Sequence, residues 1–150
     1  RPHPESFKRS MLTINSFKKK FSNEKFILDE TFENVKSMEN AKCLITDSSG
    51  IAIEFVLLFK KPTLYFDGND KVHNDEFSDY NDLITMDQKV KKKFGYIFKK
   101  EDIKDLDVLI KKSMSEFINK DDEIKKFIND NFYNYGTTVK NFNDLINKDF

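Results

Sequence analysis

The chain reads as an α/β domain, a parallel sheet flanked by helices, and three observations predict it. Short apolar runs alternate with stretches of helical periodicity, and that alternation produces parallel strands joined by helical crossovers. Residues 41–66 hold the clearest unit, reading strand, polar turn, helix, strand. The turn in that unit carries Asp47, Ser48, Ser49 and Gly50, one carboxylate, two hydroxyls and a glycine where a helix begins.

The elements follow in order. Phe7, Met11, Ile14, Phe17 and Phe21 recur at helical spacing and predict an amphipathic helix over residues 5–21. Phe26-Ile27-Leu28 reads as a short strand, and residues 31–39 as a short helix capped by Asp29 or Thr31. Residues 43–46 form a buried strand. Residues 51–59 are apolar nearly all round apart from Glu54, which predicts a mostly buried helix. Pro62 opens the strand 63–66, a position that tolerates proline. Residues 67–82 are polar and rich in Asp, Asn and Gly, a length of loop that is usually functional or mobile. A helix over 84–94 is stopped by Gly95. Tyr96-Ile97-Phe98 is the last strand. Leu106 to Ile118, Ile124 to Phe132 and Val139 to Ile146 then mark three helices, the last after a turn at Gly136.

A chain of 150 residues can bury a real core. Lys plus Arg and Asp plus Glu both total 26, so the net charge is zero, which argues against a broad nucleic-acid-binding surface. The lysine runs fall within or beside helices and read as solvated faces. The single cysteine, Cys43, lies in an apolar strand; it fits a reducing compartment and a small buried hydrophobe better than a nucleophile. No run approaches the ~18 apolar residues of a membrane span, and no signal peptide is visible. A cytoplasmic protein is expected, with a peripheral contact on the inner face of the membrane left open. The opening Arg-Pro-His-Pro resembles the loop after a strand, which implies a piece of a longer protein.

Ligands of open α/β sheets sit at the carboxyl ends of the strands. Three groups are expected there: Pro2-His3-Pro4, residues 47–50 and residues 67–69, with Glu54 one helical turn beyond Gly50. A helix N-terminus offers unpaired N–H groups and about half a unit of positive charge, so hydroxyls and a glycine there make a seat for a phosphate. A plain helix cap explains the same residues equally well. Asp47 repels a bare phosphate and is expected to orient the turn or to contact a sugar or acceptor hydroxyl. The glycine and lysine spacing of a Walker loop is absent. Glu54, as a carboxylate in an apolar helix, needs a partner: ribose hydroxyls, a lysine or a neighbouring loop. His3 can donate a hydrogen bond to a departing phosphate, or stand in an exposed terminus without a role. His73 reads as solvated. No residue spacing suggests zinc, and the phenylalanines follow core periods rather than forming a base-stacking platform.

These residues together resemble a known family. Arg-Pro-His3-Pro, then Leu-Ile-Thr-Asp47-Ser48-Ser49-Gly50, then Glu54-Phe with Lys61-Pro62, then Tyr-Phe-Asp67, resemble the C-terminal domain of the CDP-glycerol glycerophosphotransferases. These are teichoic-acid and capsule-polysaccharide enzymes of the cell envelope, of the GT-B type. Phe94-Gly95-Tyr-Ile-Phe followed by Glu101 to Leu106 is similar to the family's glycine, strand and acidic helix start. The resemblance runs from about residue 1 to about residue 118. It implies a Rossmann-like nucleotide-donor-binding domain over 1–118, the C-terminal half of a GT-B architecture, with a helical C-terminal extension over 119–150 packing on it.

By this resemblance His3 contacts the donor pyrophosphate, and Asp47 and Ser49 match a motif whose hydroxyls hold it. Ser48 stands where the family usually has an aromatic residue and Gly50 where it has a second serine. The implied reaction is attack of an acceptor hydroxyl on a nucleotide-activated donor, CDP-glycerol or a nucleotide sugar, with release of CMP or another nucleotide. His3 is the implied catalytic residue, and Asp47, Ser48, Ser49, Gly50 and Glu54 the implied donor-binding ones. No metal and no cofactor is expected. The implied partners are the donor, a polymer or lipid-linked acceptor and an N-terminal domain supplying the base; without it no turnover is expected. Two other readings stand beside this one: a nucleotide-sugar glycosyltransferase or UDP-sugar 2-epimerase-like half, and a non-catalytic interaction domain that keeps the fold.

Overall fold

A computed structural model of the chain describes residues 2, 4–21, 25–31, 33–47, 49–67 and 84–147. His3, Ser48, Gly68, Asn69 and His73 lie outside the described residues. The chain divides into two compact units, Arg1–Asn40 and Ala41–Phe150.

The first unit holds α1 (Pro4–Arg9), α2 (Met11–Phe21) and α3 (Val35–Asn40). The helix expected over 5–21 is interrupted at Ser10, although the ladder continues across it: Ser10 N–H donates to the Ser6 carbonyl at 2.8 Å, and Ile14 N–H to the Ser10 carbonyl at 3.0 Å. A serine inside a helix favours such local bends. Ile14 and Met38 are buried, whereas Met11, Leu12 and Phe17 are exposed. The strand expected at 26–28 reduces to a single bridge at Phe26, whose ring lies 6.0 Å from that of Phe21. The third helix starts later than expected, at Val35, after a turn that the Asp29 side chain makes. One carboxylate oxygen accepts from the Thr31 N–H (3.0 Å) and hydroxyl (2.6 Å), and the other from the Ser37 hydroxyl (2.8 Å). A carboxylate taking the N–H two residues on makes a turn that competes with helix.

The second unit is a small α/β domain with a Rossmann-like arrangement. Strands β1 (Leu44–Thr46), β2 (Thr63–Phe66) and β3 (Gly95–Phe98) form one parallel sheet in the order β1-β2-β3. Helix α4 (Ile51–Leu57) connects β1 to β2, and α5 (Met86–Phe94) connects β2 to β3. A 3-10 helix (Lys100–Asp105) leads into α6 (Leu106–Phe117), followed by α7 (Asp121–Asn131) and α8 (Thr138–Ile146). The register places Thr63 between Leu44 and Gly95, and Tyr65 between Thr46 and Ile97. Lys60, with φ of 52°, turns the chain from α4 into β2 and pairs with Asp121 at 3.2 Å.

The core is assembled from four helices. Val56 and Leu57 of α4, Val90 and Phe94 of α5, Phe117 of α6, and Ile124, Phe127 and Ile128 of α7 form one buried cluster. Phe94 and Phe127 meet edge to face at 5.4 Å. Helix α8 is different: Val139, Phe142 and Leu145 recur at helical spacing but stay exposed.

Successive residues of a strand face opposite sides of the sheet, so Tyr65, in register with Ile97, and Tyr96, in register with Leu64, lie on opposite faces. The Lys91 ammonium of α5 stands 5.6 Å from the Tyr65 ring centre, and burial together with the nearby Glu116 carboxylate of α6 pushes the Tyr96 phenol above its ordinary range. Helices therefore cover both faces. Gly95 is required by space rather than by backbone conformation, since its φ is −86°. A methyl group there would stand 2.5 Å from the Lys91 carbonyl oxygen and 2.6 Å from the Tyr65 ring. Gly95→Ala is expected to lower stability by about 1–3 kcal/mol, the usual range for overpacking, measured by urea unfolding followed by circular dichroism.

Candidate functional site

The parallel sheet brings three chain segments to its carboxyl edge. Asp47, Ser49 and Gly50 follow β1, Asp67 follows β2, and Lys99 follows β3. Neighbouring strands lie about 4.8 Å apart, so the ends of β1 and β2 are side by side. The Asp67 N–H donates to the Phe98 carbonyl at 2.8 Å, extending the ladder one residue past the strands. The Lys99 N–H donates to Asp102 Oδ2 at 2.8 Å, which opens the 3-10 helix.

The turn into α4 is tight. Ala52 N–H donates to the Ser49 carbonyl at 3.1 Å and Ile53 N–H to the Gly50 carbonyl at 3.0 Å. The amides of Gly50 and Ile51 have no partner among the described residues. Ser49 is half-buried, while Asp47 and Gly50 are exposed. Gly50 has φ of −58°, and a methyl group there would meet nothing within 4 Å. Neither backbone nor packing demands a glycine at this position.

Glu54 departs from the expectation drawn for it. Helix α4 turns Ala52, Phe55, Val56 and Leu57 inward and leaves Glu54 exposed, so water solvates the carboxylate and no buried partner is needed. The structure brings Asp47, Ser49, Gly50 and Asp67 to one edge; His3 and Ser48 lie outside the described residues. The strands run in one direction of order, β1-β2-β3, so no topological switch point occurs among the described strands. No group of His, Cys, Asp or Glu capable of holding a metal occurs among the described residues. Cys43 is half-buried, and burial pushes its thiol above the ordinary range, as fits an inert thiol.

Tyr65, part of the expected strand 63–66, stands out only in the folded structure. Its side chain is buried, and its hydroxyl has no hydrogen-bond partner among the described residues; nor has that of Thr63, two residues earlier on the same face. Burial, with the nearby Asp87 carboxylate adding to it, pushes the Tyr65 phenol up to about 12. A tyrosine in the middle of a buried central strand was the available signal, because such a strand leaves few partners for a phenol.

No family model matches the chain, and no curated protein or solved structure matches it either.

Two expectations follow from this geometry. Gly50→Ser should leave the folding midpoint nearly unchanged, within about 0.5 kcal/mol, because the site has room and a serine suits a helix start. For Tyr65, the folded phenol ionises near 12 and the unfolded one near 10. Its contribution to stability is therefore whole below pH 10 and is lost as the pH rises from 10 to about 12. Tyr65→Phe should be as stable as the parent at neutral pH or more so, since it removes an unpaired buried hydroxyl. It should also lose less stability across that alkaline window, as read by denaturant unfolding at each pH.

Proposed function

We propose that the chain is the donor-binding half of a CDP-glycerol glycerophosphotransferase-like enzyme, the C-terminal half of a GT-B architecture. In this reading it binds a nucleotide-activated donor whose glycerol phosphate, or a related group, passes to a cell-surface polymer. One observation carries the reading: Asp47, Ser49 and Gly50 follow β1 at the carboxyl edge of a parallel sheet, beside Asp67 at the end of β2. That edge is where α/β domains bind their ligands, and it is the placement the family resemblance requires of these residues.

The chemistry divides among the residues by charge. The Ser49 hydroxyl and the open amides of Gly50 and Ile51 are donors suited to pyrophosphate oxygens. Asp47, exposed and without a partner among the described residues, suits a hydroxyl of the ribose or glycerol rather than a phosphate. His3 supplies a proton or hydrogen bond to the departing nucleotide phosphate as an acceptor hydroxyl forms the new bond to phosphorus and the bond to CMP breaks.

Titration of the full protein with CDP-glycerol and, separately, with UDP-sugars tests this reading. Amide signals of Ser49 and Gly50 should shift, and Asp47→Asn or Ser49→Ala should weaken binding about 10–100-fold, as loss of a hydrogen bond to a charged group does. A preference for UDP-sugars would move the assignment to a glycosyltransferase or 2-epimerase-like half. Unshifted Ser49 and Gly50 signals at millimolar donor would overturn it. Intact cellular function after Ser49→Ala combined with His3→Ala would favour a non-catalytic domain.

A further inference from the structure

We propose that the apolar stripe of α8 is a self-association surface, on which α8 of a second copy of this chain packs antiparallel. Val139, Phe142, Leu145 and Ile146 form the stripe, and they are 75%, 59%, 60% and 41% exposed. At 3.6 residues per turn all four fall on one side of the helix. The core of the second unit is closed by α4, α5, α6 and α7 without them. Every residue of α8 is exposed, on the apolar side as well as the polar one.

Such a helix is poorly stabilised by its own sequence. Its nine residues are fewer than the roughly 12–15 that an isolated helix needs in water. Thr138, Val139, Asn141, Asn143 and Asp144 are weak helix formers. Lys140 stands in the first turn, near the positive end of the helix dipole, and Asp144 near the negative end, so each charge is at its less favourable end. Packing on the stripe is what would hold such a helix, and within the second unit the stripe stays uncovered.

The rim of the stripe identifies the occupant. Asn141 borders it on one side and Asn143 on the other, while Lys140 and Asp144 lie on the far side of the helix. An isologous contact requires a surface that complements itself. A rim of one charge would repel its copy, whereas a carboxamide both donates and accepts hydrogen bonds, so Asn143 can pair with Asn143 of the second copy. Antiparallel packing about Phe142 sets Lys140 nearly level with Asp144 of the other chain and opposes the two helix dipoles; parallel packing would set like charges level. Tyr133 and Tyr135, in the turn that leads into α8, are 92% and 50% exposed. With the stripe they offer on the order of 600 Å² of apolar surface, which is about the area per partner at which specific interfaces begin. A bilayer surface would favour a polar face rich in lysine, and the polar face of α8 carries one lysine and one aspartate. The inference does not depend on the proposed transferase activity.

Analytical ultracentrifugation of the full protein over a range of concentrations tests it, and a reversible monomer–dimer equilibrium is expected. Phe142→Ser with Leu145→Ser should raise the dissociation constant at least about 30-fold, as loss of central apolar anchors does. Lys140→Gln, on the far side of the helix, should change it less than about threefold. These side chains are exposed, so thermal unfolding should show the core of each variant intact. The orientation is read by cross-linking in a Cys43→Ser background, which removes the single cysteine. Under mild oxidation a mixture of Val139→Cys and Ile146→Cys chains should form mixed disulfide-linked dimers, and neither variant should link to itself, because antiparallel packing brings only the unlike positions within disulfide reach. A monomer at every concentration up to about 1 mM, a dimer indifferent to Phe142→Ser with Leu145→Ser, or Val139→Cys chains that link to themselves would overturn the proposal. So would α8 amides protected from hydrogen exchange in the dilute monomer, where another part of the protein covers them, or protected only on adding phosphatidylglycerol vesicles.

Discussion

Parallel pairing of β2 with a strand on each side is the constraint on which the second unit depends. The strand is nearly buried throughout, with Thr63, Leu64 and Tyr65 at 3% exposure or less. A parallel neighbour must be reached by a crossover that returns the chain to the same end of the sheet. Helices α4 and α5 supply those crossovers, and the core formed by Val56, Leu57, Val90 and Phe94 with the later helices holds them against the sheet. The same register brings the turns that follow β1 and β2, with Asp47, Ser49, Gly50 and Asp67, to one edge.

Two glycines show how differently one residue type is used. Gly95 lies under the Tyr65 ring and against the Lys91 carbonyl, and the close approach of α5 to β3 depends on the missing side chain. Gly50 has an ordinary right-handed backbone and open space before it. The first belongs to the fold. The second is not required by the fold. The Tyr65 ring that confines Gly95 ends in a hydroxyl with no partner among the described residues.

Much of the second unit was legible because its signals are local. Thr63 to Phe66 is a short apolar run after a proline, and the structure has that strand with the same limits. Val90 and Phe94, and Ile124, Phe127 and Ile128, recur at helical spacing and are buried as that spacing implies. The first unit was less legible. Phe26-Ile27-Leu28 is too short for periodicity to separate a strand from a loop, and Ile27 is 83% exposed. The start of α3 was displaced by side-chain bonds of Asp29, which no pattern of hydrophobicity encodes. At the candidate site the place of Asp47, Ser49 and Gly50 between β1 and α4 was legible. The exposure of Glu54 was not, because a seven-residue apolar helix does not reveal which residue its packing leaves outside.

What the sequence determined by itself was the kind of each element and the chemistry of the turns between them, since both arise from residues near one another in the chain. The tertiary structure alone decided the order β1-β2-β3, the common edge of Asp47 and Asp67, and the burial of the Tyr65 hydroxyl. Those features depend on register between strands separated by the length of a crossover helix. Register is settled by which side chains fill the shared core, and that is a property of the assembled sheet and helices rather than of any single stretch of chain.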